Sequence, residues 1–407
     1  MLQYRSAAAR VVRFLPRLVS LIAVTLGSAG GDAAELTPRG PQLVRSAHFA
    51  FLTDLTDREW VELRDRLERM TANLERFLGR RITGVVEGFV VKDLAVFPVE
   101  QIDDPMGIEK IRRGEGVCAS FTLGPRRRAV LYACGDSGVV QHECVHGLCH
   151  LTFGSTGPSW LAEGVAELGN YWRENDPSVA LPEPVVRYLQ DATPKRHLLD
   201  IATPGRAVTP DWRDYAWRWA LCHMLANNPN YSDRFVPLAI GLMEGRQGVS
   251  FESVYGPVAH ELSFEYDQFL ATLGNGARPD LTAWPWKARF RPLVGQGKRW
   301  TRIKARAGWQ ASGASVEQGR EFVFQTEGTW QTTAAGGAVD GDGGPAGRGR
   351  LVAAIFHDDS LTPEFPLAAA GSFTAPANGQ LFLRCADAWT ELGDNKGAIA
   401  VTLQCKP

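Results

Sequence analysis

Apolar and polar residues alternate over "SAHFAFLTDL" (46–55), the two-residue period of a strand. A helical period takes over at Thr56. Leu63, Leu67, Met70, Leu74 and Phe77 share one face, Thr56 and Glu59 have capping-box spacing, and Gly79 suits the stop. The strand period returns in "TGVVEGFVVK" (83–92) and in "ASFTLGPRRRAVLYAC" (119–134), a predicted hairpin turning at Gly124-Pro125. From Val139 to Trp172 the pattern is helical, and it stays so through "DYAWRWALCHMLAN", "DRFVPLAIGLMEG" and the stretch ending "YDQFLATLG". Strands followed by helices predict an α+β class.

Periodicity then stops. Residues 276–298 are rich in Pro, Gly and charge and predict a linker between domains at 43–275 and 299–407. Beyond it, short alternating runs ("REFVFQTEG", "GRLVAAIF", "GQLFLRCA", "GAIAVTLQC") separated by Gly-rich turns predict an all-β sandwich. The Gly-rich run at 334–350 lacks a GK[ST] ending and a strand–helix setting, so it reads as a surface loop rather than a phosphate cradle.

The first 34 residues have another character. Arg5, Arg10, Arg13 and Arg17 precede an apolar run from Leu18 to Leu26, and small residues follow, the layout of a secretory signal peptide. The run is shorter than the ~20 residues a bilayer span needs. Export to the periplasm or the extracellular space is therefore expected, with no transmembrane segment after signal cleavage. In such a compartment, bridges Cys118–Cys134 and Cys385–Cys405 are expected among the seven cysteines, and the odd number leaves one thiol free or paired with another chain. A net charge of −1 gives no general case for a nucleic-acid partner.

Candidate chemistry lies in "VVQHECVHGLCHLTFGSTGPSWLAEGVAELGNYW" (139–172). His142 and His146, four apart on a helix, can both reach one ion, while Glu143 points about 100° around and can address a water. This is the HExxH pattern, with the glutamate as general base. His150 is about 12 Å along the axis from His142, too far for ligands that bind at about 2 Å. A third ligand must come from elsewhere, and Glu163 on the next helix supplies it, with Ser159 as expected N-cap. Two histidines and one glutamate leave a zinc position open for water. Glu167, one turn on, is placed to accept from a ligand imidazole.

HExxH followed by "WLAEGVAE" resembles the gluzincin (thermolysin-like, peptidase-MA-like) metallopeptidases, and residues ~45–275 resemble a bacterial peptidase-MA-like family. The resemblance implies His142, His146 and Glu163 as zinc ligands, Glu143 as catalytic base, and a peptide or protein substrate. It also implies a Tyr or His that steadies the oxyanion, for which Tyr215 is the candidate and His223 the reserve. Strand 129–133 is expected as the edge that an extended substrate would join.

In the C-terminal region, Asp387, Asp394 and Asn395 are hard oxygen donors of the kind calcium prefers. With "GPAGRGRLVAAI" and "SFTAPANGQLFLR" they resemble the calcium-dependent galactophilic bacterial lectins. That resemblance implies a jelly-roll or lectin-like sandwich, Ca²⁺ also held by the carbonyls of Thr333 and Glu391, and a glycan or cell-envelope ligand. Ala386 departs from the family's Asn. The expected function is an exported zinc metallopeptidase with an accessory binding module. The alternatives are a non-catalytic glycan-binding protein on a peptidase scaffold, or a zinc hydrolase of a non-peptide amide.

Overall fold

The structure is a computed structural model that describes residues 40–406 apart from 99, 172, 174, 175 and 204–210. The expected signal peptide lies outside the described residues. The fold is α+β and divides into two compact units, one reaching Ala72 and resuming over Arg81–Gly154, the other holding Asn73–Arg80 and Ser155–Pro407.

The first unit is built on a five-stranded sheet of β1 (Gln42–Arg45), β2 (Phe49–Thr53), β3 (Val86–Val91), β4 (Gly116–Leu123) and β5 (Arg126–Cys134), in the order β1-β2-β3-β5-β4. The β2–β3 and β3–β5 pairs are parallel, and the flanking pairs antiparallel. Its helices are α1 (Asp57–Leu78), which belongs to this unit as far as Ala72, α2 (Pro105–Arg112) and α3 (Ser137–Phe153). Thr56 and Glu59 cap α1 reciprocally, the Thr56 amide donating to the Glu59 carboxylate and the Glu59 amide to the Thr56 hydroxyl.

Every residue of β2 and the stretch Ala129–Ala133 of β5 are buried, because helices cover both faces of the sheet. On one side Gly107 of α2 lies so near that a Cβ there would meet the Tyr132 ring at 2.5 Å. On the other, a Cβ on Gly147 of α3 would meet Val86 Cγ2 at 2.9 Å and Cys118 Sγ at 3.1 Å. The edge is consequently β4, not the expected 129–133, which sits inside the sheet between β3 and β4.

The second unit opens with helices α4 (Ser159–Asn170), α5 (Glu183–Asp191), α6 (Leu198–Ala202), α7 (Trp212–Asn227), α8 (Ser232–Met243), α9 (Phe251–Tyr255), α10 (Ala259–Ala271) and α11 (Pro279–Thr282). Pro158, not Ser159, occupies the N-cap of α4, without a side-chain bond. The glycine after Glu163 lets α7 come close: a Cβ on Gly164 would stand 2.3 Å from Cys222 Sγ.

The strands that follow are β6 (Arg291–Pro292), β7 (Lys298–Lys304), β8 (Gln310–Val316), β9 (Glu321–Gln331), β10 (Leu351–His357), β11 (Ser360–Leu361), β12 (Phe365–Pro366), β13 (Ala370–Thr374), β14 (Gly379–Cys385) and β15 (Lys396–Cys405). They form two sheets, β11-β10-β14-β8-β6 with β12 beside β10, and β13-β9-β15-β7. Ile303, Phe322, Trp330, Ile399 and Leu403 of one sheet share a core with Ala314, Leu351, Ile355 and Leu383 of the other, which makes a sandwich.

Within residues 276–298 the first part is packed, while 294–298 are exposed. Trp284 and Trp286 join Phe264 of α10 and Phe356 and Phe382 of the sandwich in one aromatic cluster. Glu265 of α10, buried, accepts from Asn228 Nδ2, Asn230 Nδ2, Tyr231 Oη, Trp284 N and Trp286 Nε1 at 2.6–2.9 Å.

All seven cysteines are free thiols, so the two expected bridges are absent. In the β4–β5 register Cys118 faces Leu131, three positions from Cys134. Three positions are about 10 Å of strand and end on the opposite face, beyond disulfide reach. Cys385 and Cys405 lie on different sheets of the sandwich. No described helix is long and apolar enough to cross a membrane.

Candidate metal centre

Helix α3 is defined at both ends. The Asp136 carboxylate accepts from the amides of Gly138 and Val139 at 2.9 and 3.0 Å, and Gly154 takes the left-handed conformation (φ 102°) at the C-cap. Its interior placement buries polar side chains, each of which finds a partner. Gln141 accepts from Arg66, and His150 Nε2 lies 3.2 Å from the Phe121 carbonyl of β4. His150 is thus engaged on the sheet, in keeping with its exclusion as a ligand.

His142 and His146 turn their Nε2 atoms together, 3.2 Å apart, with rings at 4.9 Å and 80°. Two nitrogens bound to zinc at 2.0–2.1 Å with a tetrahedral angle are about 3.3 Å apart, so the pair has the separation such an ion demands. One ligand atom each from His142, His146 and Glu163 lie within 4.8 Å of one another. His142 is buried, and the other two are half-buried. This donor set, two imidazoles and a carboxylate, suits a divalent transition metal.

Glu143 lies over the edge strand: a Cβ on Gly116 of β4 would come within 2.8 Å of its Cγ. Sequence reasoning missed Gly116, whose signal is a glycine opening a strand that leaves room for a carboxylate. Burial, reinforced by the Glu143 charge, raises the Cys118 and Cys144 thiols. Glu167 is buried on α4 and accepts from Asn170 Nδ2 at 3.2 Å. Burial and then the Glu167 charge push the Tyr171 phenol up.

Tyr215 lies half-buried in the first turn of α7. His223, two turns further, is buried in the helical core, stacked on Trp219 at 4.6 Å and 21°. Burial lowers its pKa to about 4. Its environment is core packing, which removes the reserve candidate.

In the sandwich, Thr333, Arg348, Glu391 and Asp394 line an open depression. Arg348 Nε lies 3.0 Å from Asp387 Oδ1, and its guanidinium also bonds Glu391 and the Thr332 carbonyl. Asp394 Oδ2 accepts from the Ala334 amide, and Asn395 Nδ2 donates to the Ala305 carbonyl. Asp387 Oδ2 and Asn395 Oδ1 are buried with no hydrogen-bond partner among the described residues.

No protein-family model matches the chain, and comparison with curated proteins gives no match. Among solved structures the chain is similar to the EclA N-terminal domain, a PllA-like lectin (18% identity, 28% of this chain, 98% of that one, TM-score 0.22). It is also similar to IMPa from Pseudomonas aeruginosa in complex with an O-glycopeptide (13% identity, 46% of this chain, 22% of that one, TM-score 0.19). A further likeness is to the IMPa metallopeptidase in complex with T-antigen (12% identity, 60% and 29%, TM-score 0.17). TM-scores this low define neither fold nor activity.

Proposed function

We propose that the chain is an exported zinc metallopeptidase of gluzincin type with an accessory carbohydrate- or envelope-binding sandwich. The observation that carries the reading is the 3.2 Å approach of His142 Nε2 to His146 Nε2, with a Glu163 oxygen in the same group. His142, His146 and Glu163 would hold the ion. When bound, zinc supplies Lewis acidity, polarising a carbonyl and acidifying a water. Glu143 takes the proton of the attacking water and passes it to the leaving amine. Glu167 orients a ligand imidazole, and Tyr215 donates to the developing oxyanion. The free edge of β4 beside Glu143 offers backbone groups to an extended peptide.

For the sandwich we propose calcium at Asp387, Asp394 and Asn395. The two buried, unpartnered oxygens support it, and Arg348 is the competing cation at Asp387.

Metal analysis and peptide hydrolysis test both sites together. Wild type is expected to hold one zinc per chain; His146→Ala and Glu163→Ala lose it. Glu143→Gln keeps the zinc and loses activity by about 10²–10⁴-fold. Asp387→Ala loses calcium alone. A zinc-free wild type sinks the enzyme reading, and a calcium-free one the second site.

A further inference from the structure

Residues 281–316 contain eight Lys and Arg and no Asp or Glu, in a chain of net charge −1. The cations are concentrated around β7, the edge strand of its sheet. Along β7 Lys298, Trp300, Arg302 and Lys304 are exposed while Ile303 is buried in the core, so alternation sets these four side chains on the outer face. They stand about 7 Å apart, a strip of about 20 Å.

Trp300 is 67% exposed between Lys298 and Arg302. An indole left in water among cations has no part in the core, and such exposed aromatics mark contact surfaces. Its register partner on β15 is Thr402, and those of Arg302 and Lys304 are Ala400 and Ala398. The ring therefore borders a floor of small, uncharged side chains. Two carboxylates of β9 share this face a strand further: Glu327, beyond Ala400, and Glu321, which is paired with Lys406 at 2.9 Å.

We propose that this face binds an acidic polysaccharide, one bearing uronate or sulfate groups, laid along β7. The cations at regular spacing meet its anions, and the apolar C–H face of a sugar ring rests on the indole. Single-stranded nucleic acid fits less well, since it is held by several aromatics stacking successive bases, and β7 presents one. A bilayer fits less well too, since anchoring there uses a broad apolar face sunk among the headgroups. This surface is independent of the zinc site, and it needs no calcium.

The test measures binding of the full chain to polygalacturonate, dextran sulfate and neutral dextran, with EDTA present. An oligonucleotide and phosphatidylglycerol vesicles serve as competing probes. The expected result is binding to one or both acidic polymers, weakened steeply by salt, and none to dextran. Arg302→Glu with Lys304→Glu lowers affinity by about tenfold or more and flattens the salt dependence. Trp300→Ala weakens binding several-fold with the salt dependence unchanged, and both variants keep the wild-type melting temperature because the residues are exposed. Absence of binding to either acidic polymer overturns the proposal. So does wild-type affinity in the variants, or tighter binding to oligonucleotide or vesicles. Survival of binding in EDTA separates this face from the calcium depression.

Discussion

At the scale of single residues, Gly164 and His223 show what close packing around α7 requires. A Cβ on Gly164 would meet Cys222 Sγ at 2.3 Å and the Arg218 carbonyl at 2.8 Å. The thiol could turn aside, but the carbonyl is backbone, so α4 and α7 must separate. Gly164→Ala is expected to cost about 1–3 kcal/mol, read from the denaturant midpoint. Because Glu163 is the preceding residue, metal affinity should fall in the same variant; a wild-type midpoint would refute the close approach. His223 carries a pH dependence. Its folded pKa is lowered by burial to about 4, whereas the unfolded imidazole takes a proton near 6.5. The unfolded chain therefore binds more protons between these values, and the contribution is complete above about 6.5 and declines toward 4. Its size is on the order of 3 kcal/mol. His223→Leu should show a flatter stability curve than wild type across that window, and parallel curves would reject the assignment.

Elements divide into those whose signals are local and those whose placement is not. The capping box at Thr56 and Glu59, the turn at Gly124-Pro125 and the shared face of His142 and His146 are set within a few residues, and all were readable from spacing. The position of β5 was not, because strand order depends on pairing with β3, Glu87 with Val130, across 43 residues of sequence. Its signal was present nonetheless: five apolar residues in a row, 129–133, describe a strand covered on both faces rather than an edge. Pro158 displaced Ser159 as N-cap by a single position, within the spread of helix boundaries. The expected Cys118–Cys134 bridge failed on strand register, and Cys385 and Cys405 fell on different sheets; residue counting along the chain contains neither. Gly116 is legible only after Glu143 is seen above it.

Across the second unit, Glu265 is the residue on which helices and sandwich depend in common. Its donors come from residues 228–231, after α7, and from 284–286, ahead of the sandwich, a convergence that no local pattern announces. Trp284, held through its amide, then stacks on Phe382 of β14 at 4.2 Å and meets Phe264 of α10 at 4.9 Å. A buried carboxylate with five donors is stable only while all of them stay in place, and its loss leaves several buried N–H and O–H groups unpaired. Glu265→Ala is therefore expected to cost about 3–5 kcal/mol. Calorimetry reads more than the size. With the carboxylate present the helices and the sandwich should melt in one transition, since the tryptophans tie them together. Without it the helical part should melt first and the sandwich, whose core between its two sheets is untouched, should follow separately. A variant that melts once, at the wild-type temperature, would mean that the aromatic cluster alone joins the two and that Glu265 merely fills its place.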